Sequence, residues 1–148
     1  MRDEVTIKFK KVHPDAKIPT YAHKGDAGMD VVSIEDKIVL AGERALISTG
    51  LVAEIPEGHE IQVRPRSGLA LKAGITVLNT PGTVDAGYRG VIGVILMNHS
   101  HDPFNVSKGD RIAQLVVNKL PKVKIEEVSE VDNTERSECG FGSTGVRA

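Results

Sequence analysis

Aromatic residues are scarce in this sequence, which has no tryptophan, two tyrosines and three phenylalanines among its 148 residues. A hydrophobic core therefore has to be built mainly from valine, isoleucine and leucine, which the 40% hydrophobic fraction supplies. An aromatic residue inside a glycine-rich stretch, such as Phe141, is then a candidate for contact with a ligand rather than for core packing.

Features of secreted and membrane proteins are also missing. The single cysteine, Cys139, cannot form an intrachain disulfide, as is typical of proteins in reducing compartments. The first residues, MRDEVTIKFKK, are charged and lack the apolar core of a secretory signal. No apolar run approaches the roughly 20 residues of a membrane-spanning helix. We expect a cytoplasmic protein, or one of the host-cell interior if the source is viral, with no membrane partner.

The charge balance lacks the basic excess of nucleic-acid-binding proteins, since the formal net charge is -1. Nucleic acid is therefore not an expected partner, and any bound polyanion must be met by a local group of cations. The five histidines show no metal-ligand spacing with Cys139, so no structural zinc site is expected.

The apolar residues that are present follow a short, two-residue period. Runs such as Val91–Met97 and Ile112–Val117 are aliphatic and are bounded by glycine, aspartate or asparagine. Such strands, with closely spaced turn signals, predict an all-β, jelly-roll-like barrel or sandwich. One short helix is expected over Ser67–Ala73, with Ser67 as its N-cap and Gly74 as its stop.

The pattern changes at Asp132. We interpret residues 1–131 as one β domain and residues 132–148, which lack apolar periodicity, as a flexible C-terminal tail. The tail contains GFGSTG, whose glycine backbone, hydroxyls and aromatic ring suit a lid over a nucleotide. Arg136 adds a bidentate cation. The alternative is that the tail is a disordered end without function. The GFGSTG segment is not a Walker phosphate loop, because the Gly-Lys-Ser/Thr ending of that motif is absent.

Two further segments carry polar residues in suggestive positions. Arg64 and Arg66 lie beside the start of the expected helix, which favours either an anion site or a solvated turn. Asn79–Gly90 is similar to a hairpin with a glycine-containing tip, where Asp85 serves either in a small polar pocket or only in a turn. Gln114 lies within an apolar strand and needs a polar partner, whereas Asp110 and Arg111 are explained most simply by a turn.

Taken in order, five segments resemble the motifs of the trimeric deoxyuridine triphosphatase family. They are AGMD (Ala27–Asp30), PRSGLA (Pro65–Ala70), GTVDAGYRG (Gly82–Gly90), GDRIAQLV (Gly109–Val116) and RSECGFGSTG (Arg136–Gly145). The resemblance spans almost the whole chain. It implies a jelly-roll-like subunit in a homotrimer, with active sites between subunits and the tail of one subunit closing a site built by others.

The resemblance implies hydrolysis of deoxyuridine triphosphate (dUTP) to dUMP and pyrophosphate, with Asp85 as the base that activates water for attack on the α-phosphorus. This reaction limits uracil in DNA and supplies dUMP for thymidylate synthesis. Residues implied to contact uracil or deoxyribose are Asn79, Gly82, Val84, Tyr88 and Phe141. Residues implied to hold the phosphate chain are Arg66, Ser67, Gly68, Gln114, Arg136, Gly142, Ser143 and Thr144. Mg²⁺ is expected mainly on the phosphates. Asp30 either touches it through water only or pairs with a nearby arginine.

The fifth motif departs from the family pattern, because Ser137 and Cys139 stand where the family usually has glycine. Val84 replaces the commoner isoleucine or leucine. Two readings on the same fold compete with dUTP hydrolysis: a deoxycytidine triphosphate deaminase, and a regulatory protein that binds dUTP without hydrolysing it. The RSG of the second motif and the DAGY that begins at Asp85 favour the triphosphatase. A jelly-roll capsid or carbohydrate-binding module would leave these motifs unexplained.

Overall fold

A computed structural model describes all of residues 1–148. In chain order its elements are β1 (Lys8–Lys11), β2 (Met29–Val32), β3 (Lys37–Val39), β4 (Arg44–Glu54), β5 (His59–Arg64), α1 (Ser67–Ala73), β6 (Ile75–Val77), β7 (Gly82–Val84), β8 (Val91–Asn98), β9 (Phe104–Val106) and β10 (Arg111–Lys119). The structure contains no helix with the length and apolar character needed to cross a bilayer.

The strands form two antiparallel four-stranded sheets, in the orders β1-β4-β8-β6 and β2-β10-β5-β7, while β3 pairs separately with β9. Along β8 the side chains alternate between exposed or half-buried and buried positions, as expected for a strand with one face on a core. The predicted all-β, jelly-roll-like fold with one short helix is therefore confirmed.

The core lies between the sheets and is aliphatic. Its largest fully buried side chains are Ile47, Leu51, Ile61, Ile75, Ile92, Leu96, Ile112 and Leu115. None of the phenylalanines or tyrosines is buried, as the composition predicted. Each fully buried aliphatic side chain contributes about 1.5–3 kcal/mol to folding, so this cluster holds the two sheets in a fixed relation.

The N-cap prediction for α1 was wrong. The N-cap is Arg66, which has extended backbone angles and makes no capping hydrogen bond with its side chain. The reason is that the carbonyl of Arg66 already accepts the first helical hydrogen bond, from the N–H of Ala70 at 3.0 Å, so that Ser67 is helical. The predicted stop is confirmed, because Gly74 has a left-handed φ of 65° and its N–H bonds back to Ala70.

The hairpin predicted over Asn79–Gly90 was also wrong. Val77 in β6 pairs with Leu96 of the first sheet, whereas Val84 in β7 pairs with Ile61 of the second. Both valines are buried, at 1% and 8% exposure. Burial of each valine in a different sheet outweighs local pairing between the two short strands. The segment therefore crosses from one sheet to the other, which places its polar residues at the junction.

The chain leaves the packed domain after Lys119, where β10 ends. Nearly every later residue is exposed, and from Thr134 onward the hydrogen bonds are local turns within the segment. The exposed aliphatic side chains of this stretch include Val123, Ile125, Val128 and Val131. The division into residues 1–131 and 132–148 stays a prediction.

Candidate active site

A cavity of about 190 Å³ lies where β7 and β8 approach each other. Its lining residues are Val63, Asn79, Gly82, Thr83, Val84, Asp85, Tyr88, Val91, Ile92 and Gly93. The fold thus brings together all residues that the resemblance assigned to uracil, deoxyribose and catalysis, apart from Phe141. The combination of aliphatic walls with a few polar groups is typical of a small-molecule pocket.

The polar rim of this cavity is a single turn. The N–H of Tyr88 donates to the carbonyl of Asp85 at 3.1 Å, which closes the turn directly after β7. Val84, buried against the core, fixes where that turn begins. The side chain of Asp85 is exposed and takes part in no hydrogen bond or ion pair within the chain. Its carboxylate is therefore free to accept a proton from a bound water.

The floor of the cavity depends on close approach at Gly82, which is buried. A Cβ at Gly82 would lie 3.3 Å from Nδ2 of Asn79 and 3.3 Å from Cβ of Val63. Both distances are tighter than ordinary van der Waals contact. A side chain at Gly82 would therefore displace Asn79 or Val63, so glycine keeps the amide of Asn79 and the backbone of β7 accessible to a ligand.

A second cavity, of about 420 Å³, lies beside the start of α1 and contains Arg66 and Arg111. Nε of Arg66 is 3.3 Å from Oδ1 of Asp30, and its Nη1 donates to the carbonyl of Arg111 at 3.2 Å. These contacts, with Asp30 on β2 and with Arg111 on β10, fix the guanidinium of Arg66 in one orientation. A planar cation held in this way can bind phosphate in a bidentate manner.

The other predicted phosphate residues lie near Arg66. Gln114 is half-buried on β10 and is in register with Asp30 on β2. A Cβ at Gly28 would be only 3.2 Å from Oε1 of Gln114, so glycine makes room for that amide. Ser67 and Gly68 are exposed in the first turn of α1, where backbone N–H groups lack helical partners. Together these groups give a cationic, donor-rich corner.

The two cavities have no lining residue in common. Asp85 and Tyr88 line the first, whereas Arg66 lines the second. Both cavities are open to solvent on the surface of the subunit. One chain therefore presents two separate surface cavities: a pocket of mixed aliphatic and polar lining that contains a carboxylate, and a cationic corner.

The tail residues contact neither cavity within the chain. Phe141 is fully exposed with a left-handed φ of 41°, and Gly142, Ser143 and Thr144 are exposed or in turns. Nε of Arg136 donates to the carbonyl of Cys139 at 3.0 Å, which leaves its terminal nitrogens free. Ser137 has a φ of 49°, in the left-handed region that glycine favours, whereas Cys139 has no such φ.

No group of three His, Cys, Asp or Glu side chains converges on a point that could hold a metal ion. Oδ1 of Asp30 is buried and accepts no well-directed hydrogen bond, although it is paired with Arg66.

Sequence reasoning missed several lining residues of the two cavities. Val63, Ile92 and Gly93 line the first cavity, and Arg111, assigned only to a turn, lines the second. The alternation of apolar residues along β8 indicates which of its side chains share a face of the sheet. No local signal shows that β5 and β8 meet at one cavity, because that contact comes from the packing of the two sheets.

Comparison with known proteins supports one family. A sequence model described as dUTPase matches residues 14–145. A protein of Clostridium tetani named deoxyuridine 5'-triphosphate nucleotidohydrolase is 58% identical over 96% of this chain and 98% of its own length. A protein of the same name from Alkaliphilus metalliredigens is 59% identical over 95% of this chain and 98% of its own length.

Solved structures agree with this assignment. A dUTPase of Staphylococcus bacteriophage 80alpha, described with dUpNHpp, matches with a TM-score of 0.88 and 30% identity over 95% of this chain and 99% of that one. A dUTPase from phage phi11 of S. aureus, described with a structural Mg(II) ion, matches with a TM-score of 0.81 and 25% identity over 87% and 100% of the two chains. With sequence, fold and site geometry in agreement, this chain belongs to the dUTPase family.

Proposed function

We propose that this protein hydrolyses dUTP to dUMP and pyrophosphate, limiting uracil in DNA and supplying dUMP for thymidylate synthesis. The observation that carries the proposal is the unpartnered carboxylate of Asp85 on the rim of a cavity lined by Asn79, Gly82 and Tyr88. Two comparisons support the same substrate: the chain belongs to the dUTPase family, and a relative that is 58% identical is named for this activity.

In the proposed mechanism, Asp85 accepts a proton from a water molecule as the water oxygen forms a bond to the α-phosphorus. The bond between the α-phosphorus and the bridging oxygen breaks, and pyrophosphate leaves. An oriented water and a fixed carboxylate suffice, since positioning supplies much of the rate in such reactions. Asp85 suits this role because no side chain within the subunit competes for its carboxylate.

Selection of the base and sugar follows from the same cavity. Uracil is read mainly by backbone groups of the segment from Asn79 to Tyr88, in a space that excludes the 5-methyl group of thymine. The amino group of cytosine offers the wrong hydrogen-bond pattern, and a buried mismatch of this kind discriminates strongly. The ring of Tyr88 packs on deoxyribose, where a 2′-hydroxyl would collide.

The triphosphate is held by Arg66, Gln114 and the N–H groups around Ser67 and Gly68. The ion pair with Asp30 and the bond to Arg111 support this role, because they orient the guanidinium of Arg66 before substrate arrives. Mg²⁺ is proposed to bind mainly through the phosphates, with Asp30 touching it at most through water, and would there neutralise part of the phosphate charge and polarise the phosphates for attack.

The active site is proposed to lie between subunits of a homotrimer. Separation of the pocket of Asp85 from the corner of Arg66 supports this arrangement, because each chain carries two halves that share no lining residue. The exposed tail supports it as well: Arg136, Gly142, Ser143 and Thr144 are proposed to close over phosphate, and Phe141 to stack on uracil, at a neighbouring subunit's site. Residues 132–148 are proposed to order on that surface.

The activity is tested by measuring pyrophosphate release from dUTP, dTTP, dCTP and UTP in magnesium, with ammonia release from dCTP measured in parallel. We expect pyrophosphate from dUTP and little from the other three. Ammonia from dCTP without pyrophosphate from dUTP would establish a deaminase instead. Tight dUTP binding without turnover would establish a regulatory binding protein.

The shared site is tested by mixing two impaired variants, Asp85→Asn and Arg66→Ala, with subunit exchange or by co-expression. If the two residues meet at one site from different subunits, mixed trimers contain some sites with both native residues, and activity returns. If both residues come from the same chain, every site keeps one defect and the mixture stays at the low activity of the separate variants. Each variant incubated alone under the same exchange conditions is the control.

A further inference from the structure

The ring of Tyr88 folds back across the backbone of Gly90. Its hydroxyl donates to the carbonyl of Val91 at 3.3 Å, three residues further along the chain. To reach that carbonyl, the ring has to pass over Gly90, which lies between the two residues and is only half-buried. Tyr88 and Val91 both line the cavity that contains Asp85, so this contact decides where the ring stands in the pocket.

The contact leaves no space for a side chain at Gly90. A Cβ there would overlap the hydroxyl oxygen and Cζ of Tyr88 and would lie 2.8 Å from Cε1. Non-bonded carbon atoms prefer about 3.5–4.0 Å. By contrast, a Cβ at Gly87, in the same turn, would meet nothing within 4 Å. Neither glycine has a φ in the left-handed region, so space rather than backbone conformation distinguishes the two positions.

Of the two partners, the ring is the one that moves when a Cβ is added. Tyr88 is 49% exposed and is anchored by one long hydrogen bond. The backbone after Gly90 is far more constrained, because Val91 pairs with Val52 on β4 and Ile92 is buried at 2% exposure. Moving the ring into solvent breaks few contacts, whereas shifting β8 disturbs the core.

We propose that Gly90 is a positioning residue for sugar selection: its missing side chain holds the ring of Tyr88 at the place where it excludes a 2′-hydroxyl. The inference rests on the proposed function, since it assumes that the cavity of Tyr88 and Asp85 takes the deoxyribose of dUTP. Gly90 touches no substrate itself. It acts through the ring, so its effect falls on the choice between dUTP and UTP.

The test is Gly90→Ala, with Gly87→Ala as the matched control. We expect Gly90→Ala to lower the ratio of kcat/KM for dUTP to that for UTP by about tenfold or more. Gly87→Ala should leave this ratio within about twofold of the parent value, because its Cβ meets nothing within 4 Å and both nucleotides carry the same uracil. In a Tyr88→Ala background, Gly90→Ala should change the ratio no further, because the group it displaces is gone. An unchanged ratio in Gly90→Ala, or a full additional loss in the Tyr88→Ala background, would overturn the proposal.

A second variant covers the case in which Gly90→Ala does not fold. Tyr88→Phe removes the hydroxyl that anchors the ring near Val91 and leaves β8 unaltered, so the selectivity ratio should fall there as well. A folded Tyr88→Phe enzyme with the parent ratio, beside a Gly90→Ala protein that does not fold, would assign Gly90 to folding alone and reject the proposal.

A spectroscopic readout separates this inference from the proposed function. The chain has no tryptophan and two tyrosines, so Tyr88 is the one tyrosine in a Tyr21→Phe background. Gly90→Ala should increase quenching of its fluorescence by acrylamide, whereas Gly87→Ala should not. A parent protein without dUTP turnover would reject the function but leave this readout intact. Unchanged quenching in an active enzyme would reject the role of Gly90.

Discussion

Nε of Arg66 lies 3.3 Å from Oδ1 of Asp30, and neither side chain is more than about a third exposed, at 30% and 23%. The two residues belong to different sequence motifs, and β2 brings Asp30 to the cationic corner through its register with Gln114 on β10. This pairing supports one of the two roles predicted for Asp30, that of a partner for arginine. A role through water on Mg²⁺ stays a prediction.

Asp30→Asn distinguishes the two roles. If Asp30 acts by orienting Arg66, the KM for dUTP should rise roughly fivefold, which corresponds to about 1 kcal/mol of coupling. In an Arg66→Ala background the same change should then have little effect, and the magnesium concentration for half-maximal activity should be unaltered. A shifted magnesium requirement in both backgrounds would instead assign Asp30 to the metal. Steady-state kinetics at several magnesium concentrations give all of these values.

Asp85→Asn should lower kcat by about 10²–10⁴-fold, the usual contribution of a general base. Binding of dUTP should persist, because the amide has nearly the same shape and the native carboxylate has no partner within the subunit. The melting temperature should change little for the same reason. Pyrophosphate release and calorimetric binding of dUTP measure the two effects. A variant that retains parental turnover would exclude Asp85 as the base.

Deletion of Arg136–Ala148 should abolish most dUTP turnover and leave the fold intact, because the exposed tail buries almost no apolar surface in the subunit. A matched control removes only Val146–Ala148, which lie beyond the GFGSTG segment, and should retain activity. Thermal unfolding and pyrophosphate release are measured on both. If the longer deletion melts the protein, the tail is part of the folded domain and its role as a lid is wrong.

Thr134→Val tests whether a local turn presents Arg136 to phosphate. Oγ1 of Thr134 accepts a hydrogen bond from the N–H of Ser137 at 3.1 Å, and the next turn holds Nε of Arg136 on the carbonyl of Cys139. Valine keeps the shape but leaves the N–H of Ser137 with the carbonyl of Thr134, at 3.2 Å, as its one acceptor. The KM for dUTP should therefore rise roughly twofold to threefold, as expected for about 0.5 kcal/mol. Thr134→Ser should restore the parental KM.

The same Thr134→Val substitution made in an Arg136→Ala background is the control for that reading. Since the turn is expected to act through Arg136, the second substitution should add little there. An equal rise in KM in both backgrounds would show that Thr134 affects the tail as a whole and does not position this arginine.

Predictions from the sequence were right where local chemistry decides the structure, and they were wrong where the structure depends on pairing with strands that are distant in the chain. Gly74 ends α1 as predicted because its left-handed conformation suits glycine. Ser67 did not cap that helix, because the chain entering from β5 makes the carbonyl of Arg66 the first acceptor. The hairpin failed for a similar reason: Val77 and Val84 gain more from burial in separate sheets than from pairing with each other.

The sequence alone determined the β architecture, the aliphatic core and the family to which the chain belongs. Hydrophobic periodicity, composition and the order of short motifs are all properties of residues that lie near one another along the chain or follow in a fixed order. Only the tertiary structure decided that the pocket of Asp85 and the corner of Arg66 are separate, and that Asp30 pairs with Arg66. The position of the Tyr88 ring over Gly90 was decided there too. These relations come from strand register and packing between sheets, which depend on the whole chain.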